Sequence, residues 1–162
     1  MASRPSGRWN VALRRAHRIA DRRRPIFDGA GAAAFGGRWN SPGRRVIYAA
    51  ETYAGAMLEI LANANIGRVP KYHAWIEILI GKGVSVEELD AAKVRGWDAS
   101  DQRASRRFGD DWYDEARSTV LMVPSVVARA ERNVVINQTH PGFRKLRTTK
   151  PQPVVWDERL FR

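Results

Sequence analysis

The stretch Gly36-Gly37-Arg38-Trp39-Asn40-Ser41-Pro42-Gly43, with Val46-Ile47-Tyr48 and Met57-Leu58-Glu59 behind it, reads as loop, strand and helix in quick succession. Four glycines precede Arg38 and Ser41-Pro42-Gly43 follow it, so residues 28–43 are expected to be loop. Residues 45–49 carry Val46, Ile47 and Tyr48 in a short apolar run, which predicts a strand. Thr52 is placed to cap a helix running to about Asn63. Ala54, Met57, Leu58 and Leu61 make that helix's apolar stripe, with Glu59 at its flank.

Short elements continue on both sides. Residues 11–20 fit neither the helical nor the strand period. Residues 72–80 alternate large apolar side chains and predict a strand. Ser85-Val86-Glu87-Glu88 has the form of a capping box and predicts a short helix. Residues 97–117 are charged and predict broken helix. Residues 120–127 are apolar, interrupted at Pro124-Ser125. Val134-Val135-Ile136 predicts a strand, His140-Pro141-Gly142 a turn, and Val154-Val155-Trp156 a last strand. Many short strands with few helices imply an α+β fold with a compact mixed or antiparallel sheet.

Composition narrows the function. At 162 residues the chain is expected to be a single domain over 1–162 with a substantial core. An apolar share of 44% and six tryptophans mark a folded protein, not a disordered one. There is no cysteine, which excludes disulfides, thiolate-bound zinc and a thiol nucleophile. No apolar run is long enough for a membrane span, and the N-terminal arginines have no apolar segment behind them, so a cytoplasmic protein without membrane contact is expected. The three histidines, His17, His73 and His140, lack metal-ligand spacing, and no metal site is expected. Residues 29–34 match a dinucleotide fingerprint, G-x-G-x-x-A, but no apolar strand precedes them and Gly36, Gly37 and Pro42 break the helix that should follow. Ser125 is not in a G-x-S-x-G elbow, which argues against a hydrolase triad.

The net charge of +11 is concentrated at the start, where residues 1–24 hold eight arginines against Asp21 alone. Such a block suits nucleic acid, an acidic protein partner or a polyanionic substrate, and equally a solvated basic face. No RNA-binding motif, zinc finger or clear helix-turn-helix accompanies it.

Chemistry gathers around the opening stretch. Glycines allow close approach of backbone to a ligand, and a guanidinium in such a loop is suited to gripping phosphate. A carboxylate and a phenol nearby could act on a sugar attached to that phosphate, which points to a nucleotide and to its ribose.

Gly36-Gly37-Arg38-Trp39-Asn40, the Tyr48 strand, Leu58-Glu59, Val123-Pro124-Ser125, the strand over 133–137 with His140-Pro141, and Trp156-Asp157-Glu158-Arg159-Leu160 together resemble the RES domain family over roughly residues 14–160. The arginine, glutamate and serine that name that family fall on Arg38, Glu59 and Ser125. Gln138 departs from the usual asparagine-proline pair. The resemblance implies a fold like that of diphtheria-toxin-type ADP-ribosyltransferases. It also implies a toxin of a bacterial type II toxin–antitoxin system that destroys NAD+ as substrate by hydrolysis or phosphorolysis, with inorganic phosphate as a co-substrate in the second case and no cofactor required. Protein ADP-ribosylation is the third outcome it allows. The implied partner is an Xre-type helix-turn-helix antitoxin that covers the active site in a hetero-oligomer and supplies the contact with DNA.

Breaking the nicotinamide–ribose bond makes an oxocarbenium-like ribose, as in glycoside cleavage. Glu59 is expected to stabilise that cation, Arg38 to hold the pyrophosphate or a ribose hydroxyl, and Tyr48 to stack on nicotinamide or bond its ribose. Ser125 is expected to donate to the ligand, and Asn137 to contact an amide or ribose. Each residue also has a plain structural reading: Tyr48 as core, Glu59 as a solvated charge, Arg38 as a loop brace, Ser125 as a turn residue. Two other classes stay open, a basic nucleic-acid-binding module without catalysis and an inactive protein that only binds its antitoxin.

Overall fold

The computed structural model describes residues 14–63 and 68–162. In chain order they form β1 (Arg14–Asp21), α1 (Ala30–Phe35), β2 (Val46–Ala50), α2 (Tyr53–Asn63), β3 (His73–Ile80), β4 (Val86–Glu88), α3 (Arg103–Asp114), β5 (Val120–Pro124), β6 (Arg132–Asn137), β7 (Arg147–Thr148) and β8 (Gln152–Pro153). The strands make one eight-stranded sheet in the order β4-β5-β6-β2-β1-β3-β7, with β8 also on β3. Every pairing is antiparallel except β4 with β5, so the architecture is α+β with a mostly antiparallel sheet.

Both faces of the central strands are apolar because each face is covered. On one face Ile47, Ile76, Ile78, Val120, Met122, Val134 and Ile136 share a core with Ala16 and Ala74. Their neighbours in sequence, Val46, Leu121, Val123 and Val135, point the other way and pack under Trp112 of α3 and Trp39. This alternation is the period of two that a strand imposes. Trp112 is fully buried, and its indole N–H donates to Ser118 Oγ at 2.8 Å, so the large ring is covered without an orphaned donor. At the other end of that outer face Ile19 and Ala50 pack against α2 through Tyr53, Ala56, Met57 and Ile60.

α3 lies against the glycine-rich loop unusually closely. A methyl group on Gly109 would sit 1.8 Å from the carbonyl oxygen of Trp39. Asp110 extends the same contact by accepting from the Ser41 backbone N–H at 2.7 Å and from the Ser41 hydroxyl.

Several expectations need correction. Residues 30–35 form a helical turn-and-a-half instead of loop, since Ala30, Ala32, Ala33 and Ala34 favour helix between the breaking glycines. Ser85-Val86-Glu87-Glu88 is not a helix cap: Val86–Glu88 is strand β4, recruited by parallel pairing to β5. The last strand is Gln152–Pro153 rather than 154–156. Thr52 does cap α2, its hydroxyl accepting from the Gly55 N–H at 2.9 Å. The helix is rotated from the expected stripe, however, with Leu58 exposed and Tyr53, Ala56, Met57 and Ile60 inward. Arg4 and Arg8 of the basic block lie outside the described residues. Of its later members, Arg14 pairs with Glu88, Arg15 with Glu77 and Arg23 with Asp21, while Arg18 is half-buried and donates to the Ile26 and Tyr48 carbonyls. No helix among the described residues is long and apolar enough to cross a membrane.

Candidate active site

A cavity of about 740 Å³ opens on the outer face of the sheet. Its floor is β2 and β1, contributing Tyr48, Ala50, His17 and Ile19. These residues share one face because His17 stands opposite Ala50 in the β1–β2 pairing. One wall is α2, through Ala56, Glu59, Ile60 and Asn63, whose helical spacing puts them on one side. The opposite wall is the loop Gly36, Gly37 and Arg38 with Gln102 and Arg106 from the start of α3.

At the α2 wall, Glu59 Oε1 accepts from Asn133 Nδ2 at 2.7 Å and from the Ser125 hydroxyl at 2.9 Å. Ser125 is itself pinned, since its oxygen accepts from the Ala128 N–H at 2.9 Å. Glu59 has no cationic partner within ion-pair distance among the described residues. Its charge is therefore oriented by neutral donors, and Oε2 takes no hydrogen bond from the described residues.

At the opposite wall the loop is built to hold its shape. Gly36 has φ of +72°, a conformation that side chains resist. A methyl group on Gly37 would come within 2.6 Å of the Tyr48 hydroxyl, so only glycine fits there. Asn40 is fully buried, its amide donating to the carbonyls of Ala32 at 2.9 Å and Ser41 at 3.1 Å. Arg38 Nη1 donates to the carbonyls of Ala99 at 3.0 Å and Trp97 at 3.2 Å. Trp39 stacks on Trp97 with rings 6.4 Å apart.

Tyr48 ties this loop to the sheet. Its hydroxyl donates to Asn40 Oδ1 at 2.7 Å and accepts from the Trp39 N–H at 3.0 Å. Burial pushes the phenol well above its ordinary pKa, against the opposing pull of the Trp39 N–H and the charges of Arg106 and Arg38. It stays protonated at any physiological pH and does not serve as a base. Beneath it Arg18 Nη1 donates to the Tyr48 carbonyl at 2.7 Å. Burial lowers Arg18 to about 10, with Asp28 opposing, and it remains a cation at neutral pH.

Of the residues singled out from the sequence, Arg38, Tyr48 and Glu59 line this one cavity. Ser125 sits behind Glu59, 2% exposed, with its proton directed at the carboxylate and not at the cavity. Asn137 is not brought in. It lies at the far end of β6, buried, and its side chain serves Tyr113 and Thr139. The strand instead delivers Asn133, four residues earlier and opposite Ala50. Asn133, Asn40, Arg18, His17 and Arg106 were not picked out as site residues. A period-two reading outward from Tyr48 and its partner strand would have found Asn133, whereas Arg106 carries no local signal. Among the described residues no group of three or more histidines, aspartates or glutamates is placed to hold a metal ion.

Comparison with known proteins gives four results. A model of the RES domain matches residues 9–157. A protein of Sphingobium sp. named "Prs ADP-ribosylating toxin" is 37% identical over 144 residues, 84% of this chain and 87% of that protein. "Toxin Res" of Pseudomonas putida is 31% identical over 137 residues, 83% of this chain and 92% of its own. Among solved structures, a chain of the M. tuberculosis MbcT–MbcA toxin–antitoxin complex superposes with a TM-score of 0.70 at 21% identity, covering 87% of this chain and 84% of that one. That likeness speaks for the fold.

Proposed function

The chain belongs to the RES domain family, and on that premise we propose that it is the toxin of a toxin–antitoxin pair, consuming NAD+ by breaking its nicotinamide–ribose bond. The observation that carries this reading is the polarity of the cavity. Glu59, a carboxylate with no ion-pair partner among the described residues, lines one wall, and the guanidinium of Arg38, hydrogen-bonded to neutral carbonyls with Asp98 nearby, lines the other. NAD+ has matching polarity, with a cationic nicotinamide ring and an anionic diphosphate. The reduced dinucleotide lacks the ring charge and fits less well.

Cleavage needs little from the protein beyond charge and position. The glycosidic C–N bond breaks with its electron pair passing to nicotinamide, which leaves neutral and requires no strong acid. Positive charge grows on the ribose, and Glu59 stabilises it from a fixed position. The acceptor then adds at the anomeric carbon and loses its proton. Tyr48, its hydroxyl already engaged, presents ring surface to the ligand, and Ser125 acts as a positioning residue for Glu59. The sheet and its cavity are the basis for proposing kinship with diphtheria-toxin-type ADP-ribosyltransferases.

The likeness to the Sphingobium ADP-ribosylating toxin allows a protein acceptor as well as water or phosphate, and the product distinguishes them. Purified protein incubated with NAD+ is expected to release free nicotinamide, together with ADP-ribose, its 1″-phosphate, or a labelled protein. Expression of the chain alone is expected to deplete NAD+ and stop growth, and co-expression of a neighbouring Xre-type antitoxin to restore both. Growth unaffected by a folded chain would overturn the toxin reading. Phe35, 83% exposed, and Val127, 39% exposed, stand on the cavity rim and give such a partner an apolar foothold beside the arginines.

Arg38→Lys keeps the charge and loses the planar fork. It is expected to raise the KM for NAD+ about tenfold, a cost of about 1.4 kcal/mol, with Tm nearly unchanged. A variant that unfolds while its folded remainder stays fully active would instead make Arg38 a loop brace.

A further inference from the structure

Arg106 faces the same cavity as Arg38, from the first turns of α3. Its Nε donates to the Gly37 carbonyl at 3.1 Å and its Nη2 to Gln102 Oε1 at 3.0 Å. Both acceptors are neutral. No carboxylate lies within ion-pair distance of either Arg38 or Arg106 among the described residues, although Arg44, Arg117, Arg129 and Arg132 nearby on the molecule are all paired. A guanidinium offers five donors. Among the described residues Arg106 leaves its Nη1 group without an acceptor, and Arg38, anchored through Nη1, leaves Nε and Nη2 without one.

Two further features hold Arg106 in place. Gln102, whose amide oxygen orients it, takes φ of +58°, a left-handed conformation uncommon for this residue type, and itself lines the cavity. Gly37, whose carbonyl receives Nε, is the residue directly before Arg38, so the two guanidinium groups are fixed to one piece of backbone. An orientation fixed before binding spares the side-chain entropy of ordering an arginine on its ligand.

We propose that Arg106 and Arg38 together form the diphosphate subsite of this cavity, with Arg106 a specificity-determining residue that sets affinity for the dinucleotide and takes no part in the bond cleavage. The proposal rests on the reading of NAD+ as substrate. Two phosphates in sequence present more charge and more acceptors than one guanidinium satisfies, and a pair of forks on one wall matches them. The subsite lies opposite Glu59, which places the ribose next to nicotinamide at the carboxylate.

The test compares wild type, Arg106→Gln and Arg106→Lys. Turnover of NAD+ is measured, with ADP-ribose and nicotinamide as inhibitors that probe the two ends separately. For R106Q the KM for NAD+ and the Ki of ADP-ribose are expected to rise together by at least tenfold, with kcat within threefold and the Ki of nicotinamide unchanged. R106K, which restores charge but cannot reach both anchors at once, is expected to recover part of the loss. If R106Q does not fold, R106K decides: KM raised three- to tenfold with an unchanged nicotinamide Ki supports the subsite. ADP-ribose affinity within twofold of wild type overturns it. So does a parallel loss of kcat and of nicotinamide binding, which is the signature of a loop brace. Calorimetric binding of ADP-ribose to wild type and R106Q separates the two claims. A wild type that leaves NAD+ intact yet loses ADP-ribose binding on R106Q supports the subsite and removes the proposed reaction.

Discussion

Glu59→Gln is expected to cut NAD+ turnover by at least 100-fold while changing KM by less than about threefold. The glutamine has the size of the glutamate, and its oxygen can still accept from Asn133 and Ser125, so the geometry of the site survives. What disappears is the negative charge facing the developing oxocarbenium ion. A 100-fold loss corresponds to about 2.7 kcal/mol of transition-state stabilisation. That is the range expected when one preorganised electrostatic group is removed. Expression of E59Q should then leave both NAD+ and growth at control levels. Turnover within a few-fold of wild type would show that Glu59 is not the stabilising group.

Gly109→Ala is expected to be the most damaging conservative change for stability. In the middle of a helix alanine normally gains up to about 1 kcal/mol over glycine. Here the added methyl would lie 1.8 Å from the Trp39 carbonyl oxygen, a backbone atom of a loop held by Asn40, Asp110 and Tyr48. That loop has nowhere to move without breaking those bonds. A net loss of about 3 kcal/mol follows, at the upper end of overpacking effects, and about 6–12 °C in Tm for a chain of this size. A melting temperature equal to or above that of wild type would mean that the contact relaxes freely. Because the displaced residue is next to Arg38, the folded fraction of G109A should also bind NAD+ more weakly.

The legible parts of this molecule are those written in short-range chemistry. β2, α2 with its Thr52 cap, β3 and β6 are each visible in alternation or capping within a window of a dozen residues. The strand β4 is not, because Ser85-Val86-Glu87-Glu88 has the local form of a helix start and becomes strand only by pairing with β5, some thirty residues on. The rotation of α2 was equally hidden, since Leu58 and Ile60 are alike in apolarity and only the position of β1 decides which one is buried. At the site, Arg38, Tyr48 and Glu59 could be named because they stand within one loop–strand–helix passage. Asn133 and Arg106 reach the cavity from distant segments, through sheet register and through the docking of α3, and neither is encoded in their own surroundings.

The order of β6 in the sheet has a consequence for the cell that makes this protein. β2, which carries Tyr48, forms its longest backbone pairing with β6, and Glu59 takes its shortest hydrogen bond from Asn133 on that strand. Neither contact exists until residue 133 has been synthesised and has left the ribosome. A nascent chain that stops before residue 133 has Arg38 and Glu59 but lacks the β6 pairing of β2 and the Asn133 donor to the carboxylate. The growing polypeptide therefore does not hold the full arrangement of β2 and Glu59 until β6 has emerged, with synthesis running at roughly 5–20 residues per second. The wall of the cavity around Glu59 is thus completed late in synthesis, after α2 and the glycine-rich loop have already been made.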